Sequence, residues 1–239
     1  MAMYLGHQPI LDKKLNTAGY ELLFGSLLNP TDSSTTSFDS TVPKVVNDMM
    51  ATGFNKVFGV KSAWIRLNRS LLLEDWSGLL PAGRAVMEIA DGVPADDEVL
   101  TACSRFREQG HLLALQSGVD DARADAFAPL VDLMKVDVKQ TSASEQDRII
   151  QKSKKLRIAL LAGIIETEHD LAAASRLGYD YFQGRFFGSA AVQQTNRVRY
   201  YLDPGFKVVV PYTQAGLPGN KHAVVSGPAQ SYQENRIRD

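Results

Sequence analysis

The sequence predicts an α/β chain wound around a parallel β-barrel, and three observations carry that prediction. Short apolar runs at Ala63–Leu67, Ala85–Ile89, Leu112–Leu115, Leu133–Val138, Ile158–Ala162 and Tyr179–Phe182 follow one another at steps of about 21 to 26 residues, room for a strand, a helix and two short connections. Helix-like segments fill several intervals: Asp96–Gln109, Ser142–Lys155 and Glu168–Leu177. Two β-prone runs, Met3–Ile10 and Thr17–Phe24, flank a polar turn at Asp12-Lys13-Lys14-Leu15-Asn16 and predict an N-terminal hairpin. Strand and helix in alternation build stacked βαβ units, and six of them plus the hairpin approach the eight of a closed barrel.

The elements follow in order. Residues 29–41 are rich in Ser, Thr, Asp and Pro and read as an exposed loop. Pro43 suits the first turn of a helix through Val45, Val46, Met49 and Met50, which Gly53 would close. The segment from Asp96 follows Pro94 and stops before Gly110; the segment from Glu168 has Thr167 as its N-cap and stops before Gly178. Four of the ten prolines (Pro204, Pro211, Pro218 and Pro228) fall after residue 203. Phe206–Val210 allows one last strand, and the stretch from Thr213 reads as loop or disorder. The expected organisation is a barrel domain over residues 1–203 and a Pro/Gly-rich tail over 204–239, with no second folded domain.

Composition excludes several classes. With 26 basic and 27 acidic residues the formal charge is −1, and the longest basic runs, Lys13-Lys14 and Lys154-Lys155, are pairs. A chain of that kind has no cationic field for a phosphate backbone, so nucleic acid is not an expected partner. Cys103 is the single cysteine and cannot form an intrachain disulfide, as expected in a reducing compartment. No stretch reaches the roughly 18–20 apolar residues of a membrane span, and Met1 to Pro9 lacks the layout of a signal peptide. The expected location is the cytoplasm, away from membranes. His7, His111, His169 and His222 make no pair at metal-ligand spacing, and no glycine-rich phosphate loop occurs.

In a parallel barrel, reactive groups sit at the C-terminal ends of the strands. Those positions hold Glu21, Asn68, Glu88, Gln116 and Ser117, Lys135 and Asp137, Gly163 and Glu166, and Gln183. Spacing alone leaves two readings open: a shared polar mouth, or strands that stop where solvent begins.

The identity and order of the segments go further. GHQPILDKKLNTAGYELLF, RLNRSLLL, VMEIADGV, HLLAL, LMKVDV, LLAGIIET and GYDYFQGRFF resemble the EAL-domain family, bacterial proteins many of which hydrolyse the second messenger cyclic di-GMP. The closest likeness is to the EAL half of proteins that join an EAL domain to an HDOD domain. It covers residues 3–188 and implies a (β/α)8 TIM-like barrel of the EAL type with one antiparallel strand. In active members, carboxylates and an Asn hold two divalent cations that activate water for in-line attack on a phosphodiester. Glu21, Asn68, Glu88, Lys135, Asp137, Glu166 and Gln183 fall on matching positions. The family's Asp-Asp pair is replaced by Gln116 and Ser117, a metal-binding Glu by Gly163, and a phosphate-gripping Arg by Gly25.

The resemblance therefore implies a vestigial site with no catalytic residue and no cofactor, Mg²⁺ or Mn²⁺ being held only if Glu21, Asn68 and Glu88 keep a residual site. Lys135 is expected to bond Glu88 or Glu166, compensating carboxylates whose pKa values should otherwise rise. The expected function is a regulatory or protein-binding module in bacterial signalling. The alternative is a receptor for cyclic di-GMP or a related nucleotide, or a weak metal-dependent phosphodiesterase. The expected partner is another protein or a second copy; Phe54, Val57, Phe58 and the Phe186-Phe187 pair are candidates for a contact face, with core packing the equal alternative for each.

Overall fold

The computed structural model describes residues 3–26, 42–43, 46–47, 50, 54–74, 77–117, 121–187 and 194–195. The expectations for residues 29–41, Gly53, Phe206–Val210 and the tail over 204–239 lie outside that set. The hairpin is β1 (Met3–Asp12) and β2 (Thr17–Ser26), antiparallel, with Gln8 opposite Glu21. Its turn is drawn tight by Asp12, whose carboxylate accepts hydrogen bonds from the backbone N–H of Lys14 and Asn16 at 2.8 and 2.9 Å.

The chain then alternates. Helix α1 (Phe54–Phe58) leads to β3 (Ser62–Leu67), α2 (Arg69–Leu73), β4 (Ala85–Ile89), α3 (Asp97–Glu108), β5 (Leu112–Ser117) and α4 (Asp121–Phe127). It continues through β6 (Leu133–Asp137), α5 (Ala143–Leu156), β7 (Ala159–Gly163), α6 (Glu168–Leu177) and β8 (Tyr181–Phe182). The caps explain the sharp helix boundaries. Ser142 with Glu145, and Thr167 with Asp170, each form a reciprocal capping box, and Gly178 ends α6 in the left-handed region at φ 93°.

Strands β2 to β8 pair in parallel, in chain order. β1 is antiparallel to β2 on one side and to β8 on the other, with Leu11 opposite Phe182, and this pairing closes the barrel. The fold is thus an eight-stranded TIM-like barrel with one antiparallel strand. A short β9 (Gln194–Thr195) adds to the Met3 end of β1.

Side chains alternate across each strand, so the barrel has two cores. The outer one, between strands and helices, includes Leu22, Ile65, Met87, Leu113, Met134 and Leu160 packed with Val99, Cys103, Phe106, Phe127 and Ile150. The inner one is Ile10, Trp64, Val86, Ala114, Leu133 and Leu161. Gly19 makes room for it: a Cβ there would lie 2.3 Å from Ser62 Oγ and 2.9 Å from Trp64 Nε1. The buried indole removes roughly 200 Å² from water, about 5 kcal/mol of apolar burial.

Of the two readings for Phe54 and Phe58, core packing is the one the structure shows. Both belong to the outer core, at 5% and 2% exposure, and are not an exposed contact face; they lie four residues apart in α1, on one face of the helix. The side chain of Val57 lies outside the described residues. Among the described residues no helix is long and apolar enough to cross a membrane.

Candidate functional site

Strand alternation builds the site directly above the inner core. Two residues on from Trp64, Val86, Ala114, Leu133 and Leu161 come Arg66, Glu88, Gln116, Lys135 and Gly163. Each points the same way as its apolar predecessor. Glu21 on β2 and Gln183 just after β8 complete the layer. Register sets Arg66 opposite Glu88 and Gln116 opposite Lys135. The barrel interior therefore changes from apolar to charged within one strand repeat, at the end where the parallel strands finish.

Four charged groups meet there. Glu21 and Glu88 are buried, at 2% and 0% exposure. The Lys135 ammonium donates to Glu21 Oε2 at 2.7 Å and to both oxygens of Glu88 at 3.2 and 3.1 Å. The Arg66 guanidinium donates from Nη2 to Glu21 Oε1 at 2.8 Å and from Nε to Glu88 Oε1 at 3.0 Å. Gln183 Nε2 adds a bond to Glu21 Oε2 at 2.5 Å. Two carboxylates and two cations sum to zero, the condition under which buried charge is tolerable.

Burial pushes the Glu21 carboxyl up, but the Lys135 and Arg66 charges and the hydrogen bonds from Lys135 and Gln183 outweigh burial and hold it down at about 2. Lys135 compensates the Glu21 charge as expected, and Arg66 adds a second cation that the strand-end positions did not single out. Desolvation lowers the Arg66 value; its two carboxylate partners more than reverse that, and the guanidinium is raised.

The remaining positions are less convergent. The Asn68 side chain caps α2, accepting from the Leu71 N–H at 3.0 Å. Asp137 accepts from the N–H groups of Lys139 and Gln140 at 2.9 and 3.1 Å, an Asx turn at the strand end. Glu166 is an exposed residue paired with Arg185, so of the two acids expected around Lys135 only Glu88 bonds it, joined by Glu21. Gly25 lies on β2 opposite Tyr4, and Ser117 ends β5 opposite Val136. Gly163 lies beside the Lys135 stem, 3.7 Å from its Cε to the place a Cβ would take.

The loops that follow β7 and β8 are stitched together at this same end of the barrel. Ile165 N–H donates to Gln183 O at 3.0 Å and Phe186 N–H to Ile165 O at 3.0 Å. Gly184 permits the approach, since a Cβ would fall 1.9 Å from Ile165 O. Just before it, exposed Ile164 holds φ at 62°, an unfavourable conformation for a β-branched residue. Of the aromatic pair beyond, Phe186 is exposed and Phe187 packs partly on the outer core.

Arg66 is the residue that sequence reading missed. The signal was present in WIRLN: Trp64, Arg66 and Asn68 alternate on one face of a strand, so an inward Trp carries an inward Arg with it.

The donor set can be tested against two divalent cations. Mg²⁺ asks for six oxygens in near-octahedral array. Here two carboxylates converge, and all four of their oxygens already accept from Lys135, Arg66 or Gln183. Among the described residues no three His, Cys, Asp or Glu side chains come together as a metal group. The arrangement does not fit a two-cation centre.

Comparison with known proteins supports the fold. No family model matches the chain. The uncharacterized protein YuxH of Bacillus subtilis is 23% identical over 197 residues, 80% of this chain and 48% of that protein. The cyclic di-GMP phosphodiesterase CdgJ of Vibrio cholerae is 27% identical over 195 residues, 79% of this chain and 44% of that protein. The chain thus spans about half the length of these curated relatives. Among solved structures, Bacillus subtilis YkuI, with an EAL domain in complex with cyclic di-GMP and calcium, is 23% identical at a TM-score of 0.63, over 78% of this chain and 54% of that one. Klebsiella pneumoniae BlrP1, in a manganese and cyclic di-GMP complex, is 16% identical at 0.65, over 80% and 57%. The EAL domain of Mycobacterium smegmatis DcpA is 17% identical at 0.64, over 79% and 92%. The fold shared with these chains is the one the sequence motifs implied.

Proposed function

We propose that this EAL-type barrel does not hydrolyse phosphodiesters and works as a regulatory or protein-binding module in bacterial signalling. One observation carries the reading: Lys135 and Arg66 together saturate Glu21 and Glu88, the two carboxylates at the centre of the mouth. In active relatives of the EAL type the catalytic water is made nucleophilic by cations held on carboxylates. Gln116, Ser117 and Gly163 stand where the resemblance calls for three of those acids. Each lost charge-assisted contact weakens ion binding by about 1.5–3 kcal/mol. Gly25, where a phosphate-gripping Arg is expected, supports the same conclusion for the dinucleotide. The partner is then a protein or a second copy, in the cytoplasm, and the exposed Phe186 at the mouth is a place for it to meet.

The test is direct. Purified protein incubated with cyclic di-GMP and Mg²⁺ or Mn²⁺ is expected to release no linear dinucleotide, as followed by chromatography. Turnover that Glu21→Ala abolishes would overturn the reading. The competing role, a receptor for cyclic di-GMP or a related nucleotide, draws its support from the YkuI and BlrP1 structures that hold the dinucleotide. Calorimetry with the dinucleotide separates the two: heat of binding favours the receptor, and a flat titration at high micromolar ligand removes it.

A further inference from the structure

We infer that Arg66 is a tethered counter-ion, standing where a divalent cation would bridge Glu21 and Glu88, and that it keeps such ions out of the barrel. The inference rests on the reading of this site as non-catalytic and gives it a physical cause in one residue.

The guanidinium joins the two carboxylates through different N–H groups, Nη2 to Glu21 and Nε to Glu88. That is the connection a bridging cation makes. Lys135 holds the other oxygens of both, Oε2 of Glu21 and Oε2 of Glu88. The two cations are stacked by depth: the Lys135 side chain is 11% exposed and that of Arg66 39%. An ion arriving from the mouth therefore meets the guanidinium first.

Charge and strand geometry agree. With both cations the cluster is neutral; without Arg66 it holds −1 beside two carboxylates that are all but inaccessible. A buried uncompensated charge demands a partner, and a small dication with its own waters is the one that solution offers. Arg66 is fixed opposite Glu88 in the β3 and β4 ladder, and its planar fork is preorganised for carboxylates. Displacing it breaks two charge-assisted bonds and offers an incoming ion too few oxygens in return.

The experiment compares wild type, Arg66→Ala and Arg66→Lys in thermal unfolding and in Mn²⁺ titration followed by electron paramagnetic resonance. Wild type and Arg66→Lys are expected to show no change in melting temperature between EDTA and millimolar Mn²⁺. Arg66→Ala is expected to melt lower in EDTA, to recover with Mn²⁺, and to bind Mn²⁺ about ten- to a hundredfold more tightly than wild type. Where Arg66→Ala does not yield folded protein in EDTA, Arg66→Gln, which keeps a donor and drops the charge, carries the same comparison. Equal Mn²⁺ binding by wild type and variant would overturn the inference, as would a charge-deleted variant that gains no response to metal. Mn²⁺ binding by wild type without turnover removes this inference alone, whereas turnover of cyclic di-GMP removes the functional reading beneath it.

Discussion

Replacing Lys135 with Met tests the charge cluster most severely. The substitution removes an ammonium that is 2.7 Å from Glu21 and 3.1 Å from Glu88 and keeps most of the apolar stem. Arg66 then faces two buried carboxylates alone, and the cluster carries −1. Breaking a buried pair in this way costs about 3–5 kcal/mol. A second route gives a similar size. A Glu21 carboxyl at about 2 when folded, against an ordinary 4.5, corresponds to about 3 kcal/mol at neutral pH, shared between its two cations.

The pH dependence has opposite signs in the two proteins. In wild type the folded value of Glu21 is depressed, so its contribution is complete above the ordinary carboxyl value and is lost as the pH falls towards 2. In Lys135→Met one of the two carboxylates retains a proton and its folded value is raised, so stability is present at low pH and lost as the pH rises. Urea unfolding followed by tryptophan fluorescence is expected to show a gap of about 3 kcal/mol or more near pH 8 that narrows towards pH 5. Adding Glu88→Gln restores neutrality and should recover most of the loss. A gap under about 1 kcal/mol near pH 8, or one that widens on acidification, would mean that Lys135 does not neutralise the buried carboxylates.

Three further outcomes follow from single positions. Ile164→Gly relieves a β-branched residue at φ 62° and should stabilise the fold by about 0.5–1 kcal/mol, the left-handed penalty less the entropy of glycine; equal or lower stability in urea would count against strain there. Gly184→Ala sets a Cβ 1.9 Å from Ile165 O and should cost about 3 kcal/mol or more, because two stitched loops must part; a drop in melting temperature of only a degree or so would show the loops to be pliant. Cys103 is buried, and burial pushes its thiol up to about 12. It should ignore a thiol reagent at neutral pH until urea unfolds the chain, and rapid native-state labelling would disprove that.

Much of the architecture was legible because each barrel strand is a short apolar run and each long helix carries its own caps. Thr167 and Gly178 bracket α6 as read from the sequence, and the structure uses both. The short helices were not legible. Among the described residues of α4, Ala124 and Phe127 alone are deeply buried, too few apolar residues to show a helical period, and α1 lies beyond a glycine that reads as a stop. At the mouth, Glu21, Glu88 and Lys135 were found from their places at strand ends. Asp137 and Glu166 occupy similar places, yet nearby backbone N–H groups and Arg185 capture them. Such local competition leaves no mark in a one-dimensional pattern. Arg66 escaped because an arginine inside an apolar run reads as an edge or a surface, and only the register with Glu88 turns it into a neighbour.

The closure of the barrel by β1 has a consequence for how the chain is made. β1 emerges from the ribosome before the other described strands, yet β8, the neighbour that closes the barrel, begins only at Tyr181, so Leu11 must wait for Phe182. During that interval the sheet has two open edges. Glu21 likewise waits for Lys135 and then for Gln183, bonds that span 114 and 162 positions. Contacts this distant make folding slow and expose unpaired strands to aggregation. A nascent chain stalled before residue 181 would hold most of the secondary structure, an unsealed sheet and an unfinished charge cluster, which is the kind of species that chaperones bind.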